Sequence, residues 1–216
     1  LAKNKTGLKS LYEIVSASHT EFLGKQPLIP KRLLEEKREH LIVGSACSNG
    51  ELYRAIKNGD INLKSTAGFY DYLEVQPFND KDINKKIVDL GEKMNIPVIA
   101  TSDAHYVYPK DQMAMKVLVS VNDYDESIAL PTLHIRTPEE MISEFEYLGY
   151  DKAFEISITN TSLIADMIDD TFEPIPAGKH YPVAEGFENS LIPPDIEIRT
   201  SEETREMFID YLKKKF

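Results

Sequence analysis

The sequence predicts an α/β fold with a parallel sheet in its first part, followed by a mainly helical segment. Three observations carry this. Short apolar runs alternate with stretches of helical periodicity, as in β-α units. The run Ile96-Pro97-Val98-Ile99-Ala100 is apolar throughout, with two β-branched residues, as in a strand buried on both faces. It ends in Asp103-Ala104-His105, and the C-terminal ends of parallel strands are where chemistry gathers in such folds. About three strands are countable, too few for a complete barrel of the usual eight.

In chain order, Thr6 is placed to cap a helix that carries Leu8, Leu11, Ile14 and Val15 on one face, and Pro30 opens another with Leu33 and Leu34. Leu41 to Cys47 reads as a strand. Asn49 is placed to cap a short helix through Ile56, stopped by Asn58-Gly59. Phe69 to Val75 reads as the next strand, broken by Pro77; a helix from Ile83 to Met94 then leads to the strand at Pro97. Thr137-Pro138-Glu139-Glu140 supplies an N-cap, a first-turn proline and an acid at the third helical position. Asp151 begins a longer helix with Phe154, Ile156, Ile158, Leu163 and Ile164. A last helix is expected from Thr200, and its Lys213-Lys214-Lys215 run complements the helix dipole rather than forming a nucleic-acid patch.

The 216 residues and 42% apolar content give enough material for a real core. No apolar stretch approaches the ~20 residues that span a bilayer, and Leu1-Ala2-Lys3-Asn4 has neither a starting Met nor a signal pattern, so the chain reads as a non-membrane piece of something longer. The lone Cys47 excludes an internal disulfide and fits a reducing, cytoplasmic setting. The net charge of -11 argues against strong nucleic-acid binding by this chain alone. Residues 1–128 carry 17 basic and 18 acidic groups, residues 129–216 carry 8 and 18, and a boundary is expected near Ser127 to Pro131. Pro174, Pro176, Pro182, Pro193 and Pro194 mark residues 171–200 as an extended connector.

Cys47, Asp103 and His105 form the candidate site. Cys47 ends one expected strand as Asp103 and His105 follow another, so parallel pairing places all three at one end of the sheet. Thiolate, carboxylate and imidazole together suit Zn²⁺ or a related first-row metal. The ordinary alternatives are a small buried cysteine, an aspartate that caps the next helix and a loop histidine. Glu74 is read as a solvent-facing strand residue, not a ligand. His19 reads as structural, while His40, His134 and His180 fall at a helix end, before a helix and in the connector. Tyr70, Tyr72, Tyr106 and Tyr108 read as packing rather than base-stacking platforms, since no basic groove accompanies them.

Several runs together resemble a known family: Leu1 to Leu8, Gly44-Ser45-Ala46-Cys47, Phe69 to Pro77 and Ile96 to Tyr106. They are similar to the PHP (polymerase and histidinol phosphatase) domain of PolC-type bacterial DNA polymerase III alpha subunits. The likeness continues through His134 to Thr137, Glu139-Glu140-Met141 and Asn160-Thr161, which resemble the start of the polymerase core, and fades beyond about Asp170. It implies that residues 1–128 are the C-terminal portion of a distorted (β/α)7 PHP barrel. Residues 129–216 would then be the helical start of the polymerase core. It implies that Cys47, Asp103 and His105 are metal ligands, for Zn, Mn or Fe, with the family's remaining ligands and an inserted proofreading exonuclease earlier in the polymerase. The parent would be a DNA-directed DNA polymerase (a nucleotidyltransferase) using Mg at a site lying later, acting in replication with DNA and other replisome subunits. The chain alone is expected to be inactive. Two other readings stay open: a structural scaffold stapled by metal, and a stand-alone PHP-type phosphoesterase in which metals activate water.

Overall fold

The computed structural model describes residues 1–121, 133–175, 177–178, 206, 209–210 and 213–214. The chain divides into two compact units, Leu1–Pro174 and Ile175–Phe216. In the second, residues 206, 209–210 and 213–214 are helical. Of the expected connector at 171–200, residues 176 and 179–200 lie outside the described residues, as does the expected start of the last helix.

The first unit opens with helix α1, Lys5–Thr20. Its cap is Asn4, whose Oδ1 accepts from the Gly7 amide at 3.0 Å, two residues before the expected Thr6. A Cβ on Gly7 would stand 2.1 Å from the His40 carbonyl oxygen, so α1 lies against the turn Arg38–His40 because that residue has no side chain. Helix α2, Lys31–Lys37, follows the extended Pro30 as expected.

The expected strand from Leu41 to Cys47 is reduced to two isolated bridges, Leu41 with Ala2 and Gly44 with Tyr72. The cause is local. The Val43 amide donates to the Asp71 side chain at 2.7 Å, so a carboxylate replaces a ladder partner, and Arg38 grips the same carboxylate at 2.9 Å. Beyond the bridge, Ala46 has φ 63°, a left-handed conformation that ends extension. Helix α3, Glu51–Lys57, is preceded by Gly50 with no side-chain cap, not by Asn49. Helix α4, Leu63–Ala67, was not expected from the sequence; its five residues are too short to show periodicity.

Strands β1, Leu73–Val75, and β2, Val98–Ala100, are parallel, with Leu73 opposite Val98, Glu74 opposite Ile99 and Val75 opposite Ala100. Helix α5, Lys81–Met94, links them as a β-α-β unit. Asp80 Oδ1 caps it, accepting from the amides of Asp82 at 2.8 Å and Ile83 at 3.2 Å, and Asn95 closes it in the left-handed region. The α/β reading thus holds, though each strand is three residues long.

After β2 come α6, Gln112–Val121, and then α7, Pro138–Glu144, which has the expected capping box: the Glu140 amide donates to Thr137 Oγ1 and the Thr137 amide to Glu140 Oε2. Helix α8, Tyr150–Phe154, passes through a π turn at Glu155–Thr159 into α9, Asn160–Asp166. The compositional break near 127–131 lies outside the described residues, and packing does not divide there. Met141, Phe145, Ala153 and Ile156 share one buried cluster with Leu73, Val75, Val98 and Ala100. The acidic charge of the later segment therefore marks its solvent face, not a separate body.

α5 meets β2 at Gly91, where a Cβ would fall 2.4 Å from Val98 Cγ2 and 2.9 Å from the Ile96 carbonyl oxygen. Gly91→Ala gains about 1 kcal/mol of helix propensity but overpacks this contact, and a net destabilisation of about 1–3 kcal/mol is expected. Urea unfolding monitored by circular dichroism measures it; a variant at least as stable as the parent would show that the contact relaxes freely.

Candidate metal centre

Three parallel backbone segments lie side by side. The Asp71 amide donates to the Val43 carbonyl at 2.7 Å and the Ser45 amide to the Tyr72 carbonyl at 3.2 Å; on the other side the Leu73 amide donates to the Pro97 carbonyl at 2.9 Å and the Thr101 amide to the Val75 carbonyl at 3.1 Å. Their C-terminal ends point the same way, so Cys47, Gln76 and the segment Asp103 to His105 all emerge at one end of the sheet. The expected strand-end placement of Cys47, Asp103 and His105 follows from this pairing.

Both emerging turns contain a non-glycine residue at positive φ, Ala46 at 63° and Asp103 at 47°. Such conformations cost of order 1–2 kcal/mol for ordinary residues, less for aspartate, whose side chain can bond locally. Cys47 is a free, half-buried thiol, Asp103 is half-buried and His105 is exposed. His105 Nδ1 lies 2.9 Å from the Asp103 carbonyl oxygen. Since that oxygen only accepts, Nδ1–H is the donor in this contact, which leaves Nε2 as the ring nitrogen not engaged by it.

Among the described residues, no group of three or more His, Cys, Asp and Glu side chains is gathered tightly enough to hold a metal ion. The donors present fit a divalent cation in chemical type and in strand-end position; a closed shell among them is not formed.

One residue set aside on sequence grounds belongs to this end of the sheet. Glu74 Oε1 accepts from Thr101 Oγ1 at 2.7 Å and from Gln76 Nε2 at 3.1 Å. Burial raises its carboxyl above the ordinary glutamate range; the Thr101 bond lowers it, the charge of Asp103 raises it, and the Gln76 bond lowers it. The available signal was strand alternation. Glu74 sits between Leu73 and Val75, both fully buried, and so faces the opposite side of the sheet with Ile99 and Thr101.

The other described histidines lie apart from this end of the sheet in their contacts. His40 Nδ1 lies 3.3 Å from Asn4 Nδ2, His19 Nδ1 2.9 Å from the Val15 carbonyl, and His134 bridges Tyr106 through its backbone. His180 lies outside the described residues. Tyr72 packs where a Cβ on Gly44 would be, Tyr106 accepts the Leu133 amide at 2.9 Å, and the Tyr70 hydroxyl donates to Glu51 at 3.0 Å. Burial and that carboxylate raise the Tyr70 phenol above its usual range. A cavity of about 490 Å³, lined by Gly91, Asn95, Pro97, Lys152 and Asn160 among others, opens at the N-terminal end of β2 and touches none of the candidate ligands.

Residues 1–80, which include Cys47 and Glu74 but neither Asp103 nor His105, match the PHP domain family. The "DNA polymerase III PolC-type" proteins of Clostridium perfringens (40% identity over 209 residues), Caldanaerobacter subterraneus (42% over 209) and Bacillus subtilis (38% over 211) each align with 88% of this chain. The chain covers only 14–15% of their length, about one seventh. Its first 80 residues match the PHP domain, and most of its length is homologous to one stretch of proteins named DNA polymerase III PolC-type.

Proposed function

We propose that this chain is part of a replicative, template-directed DNA polymerase and that its strand ends contribute Cys47, Asp103 and His105 to a divalent metal site that stabilises the junction with the polymerase core. In this reading residues 1–128 complete a distorted (β/α)7 PHP barrel, and residues 129–216 begin the core. The remaining ligands come from other parts of the longer protein. The metal is Zn, Mn or Fe; Mg serves the polymerase site elsewhere, and a proofreading exonuclease belongs to the same polypeptide. DNA and replisome subunits are partners of the whole protein, which acts in the cytoplasm. No helix among the described residues is long and apolar enough to cross a membrane.

The observation that carries the stabilising role is the wiring of the ligand loop to the later helices. The His105 amide donates to the Leu133 carbonyl at 2.8 Å and the Ile135 amide to the Tyr106 carbonyl at 3.1 Å, immediately before α7. Asn160 Nδ2 donates to the Val98 carbonyl at 2.9 Å, tying α9 to the strand that presents Asp103. A cation bound here supplies binding free energy to the folded state, about 2.7 kcal/mol at a hundred times its dissociation constant. The chain's own residues pass that constraint on: the loop is held at both ends, and α7 to α9 are buried on the strand pair.

Asp103→Asn tests the reading in the full-length protein. Asparagine accepts the left-handed backbone and keeps the shape while removing the charge that offsets a cation. Metal affinity is expected to fall about 10- to 100-fold, with a stability loss of about 1–3 kcal/mol and slower nucleotide incorporation as a consequence. Thermal unfolding with and without chelator, paired with incorporation assays, decides it: unchanged melting and chelator response together with lost incorporation would mean a direct catalytic role.

The 216-residue chain by itself should show no submicromolar affinity for DNA at physiological salt, because its net charge of -11 repels phosphates. Fluorescence anisotropy with a labelled primer-template measures this, and tight, salt-sensitive binding would contradict the charge argument.

A further inference from the structure

Helix α6 meets water with the wrong side chains. Of its ten residues only Lys116 is charged, and none of those whose side chains are described is buried. Helix α2 likewise buries no residue, but five of its seven, Lys31, Arg32, Glu35, Glu36 and Lys37, are charged, as suits a helix that faces solvent. In α6 the exposed positions include Met113 at 68% and Val117 at 57%. Val107 and Tyr108, just before the turn that leads into the helix, are exposed as well.

At about 100° per residue, Met113, Val117, Ala114, Leu118 and Met115 follow one another around about 200° of the helix, and Gln112, Lys116 and Ser120 fill the rest. A helix that docks on one surface needs an apolar stripe of about 100°. Twice that arc has to be met from two sides, as in the interior of a larger body. The other home of such a helix is a bilayer, and ten residues rise only about 15 Å, half of a hydrocarbon core of about 30 Å. Apolar side chains gathered in this way mark a surface that another part of a protein covers.

We propose that α6 is an interior helix of the longer protein, enclosed by at least two segments of the same polypeptide that lie outside these 216 residues. This rests on the reading above that the chain is part of a longer polymerase. Two arguments choose that occupant. The chain covers 14–15% of its relatives' length, which leaves about six sevenths of the polypeptide to supply the cover. A second copy or a separate subunit would meet α6 on one face, about half of the apolar arc, and leave the other half wet. Segments of the same polypeptide are also held close, at an effective concentration of about millimolar order, so they reach the helix ahead of a free partner.

The test is photo-cross-linking in the full-length protein, with p-benzoylphenylalanine in place of Met113 or of Met115, positions about 160° apart on the helix. Each variant is expected to give a product of monomer mass whose captured peptide comes from outside residues 1–216, a different peptide from each position. Capture within residues 1–216, one shared peptide, a product of twice the monomer mass, or no product at either position would overturn the inference. Circular dichroism checks that both variants fold. If either does not, hydrogen exchange of the unmodified full-length protein decides. The peptide over Gln112–Val121 is expected to exchange at least about tenfold more slowly than that over Lys31–Lys37, and equally so at two protein concentrations. Equal rates for the two peptides, or protection that grows with concentration, would overturn it. An intact cellular protein no longer than these 216 residues would instead overturn the reading above on which the inference rests.

Discussion

Everything in the first unit depends on the double burial of one short parallel strand pair. Two strands of three residues cannot persist alone. Here β2 is buried along its whole length, with α5 against it at Gly91 and α9 fastened to the Val98 carbonyl by Asn160. Remove the helices and the pair has neither an apolar environment nor partners for its edge; remove the pair and the helices lose their common floor. The loop that carries Asp103 and His105 is anchored to this floor at the residue after β2, by the Thr101 amide on the Val75 carbonyl.

The strand pair also separates two chemical environments. One face supplies the main core, from Leu52 and Ile56 in α3 to Phe145 and Ile156 in the later helices. The other carries Ile99 and, next to it, the Glu74, Gln76 and Thr101 stripe. A carboxylate in such a place is raised by burial and lowered again by the hydroxyl and amide bonded to it. Its environment is therefore polar by construction on one side of a sheet whose other side is oil-like.

The fold class, the α5 helix, the capping box at Thr137 and the strand-end placement of Cys47, Asp103 and His105 were legible because each rests on local chemistry: periodicity, capping residues and the run of apolar residues before Asp103. What was not legible depended on partners distant in sequence. The segment from Leu41 looks extended by propensity, yet the Asp71 carboxylate, itself held by Arg38, takes the Val43 amide from elsewhere in the chain. Asn4 rather than Thr6 caps α1, a choice fixed by packing against His40. The break in charge near residue 128 reports on the exposed face of α7 to α9 and says nothing of the buried one, which joins the same core as the strand pair. Glu74 escaped because one strand read alone gives no sign of which neighbour will meet its solvent-looking side.

The π turn at Glu155–Thr159 sets the phase of the long helical run that contains it. A regular α-helix turns about 100° per residue, so one extra residue within a turn rotates everything downstream by that amount relative to what precedes it. Ala153 and Ile156 before or within the turn face the main core, whereas Ile164 beyond it faces the second cluster and Asn160 reaches the edge of β2. The bulge works as a phase shifter, letting one continuous helix serve two differently oriented surfaces. A single-residue deletion in this turn would be a rotational defect rather than a shortening: the upstream half would keep its seat while the downstream half presented the wrong side chains to the strand.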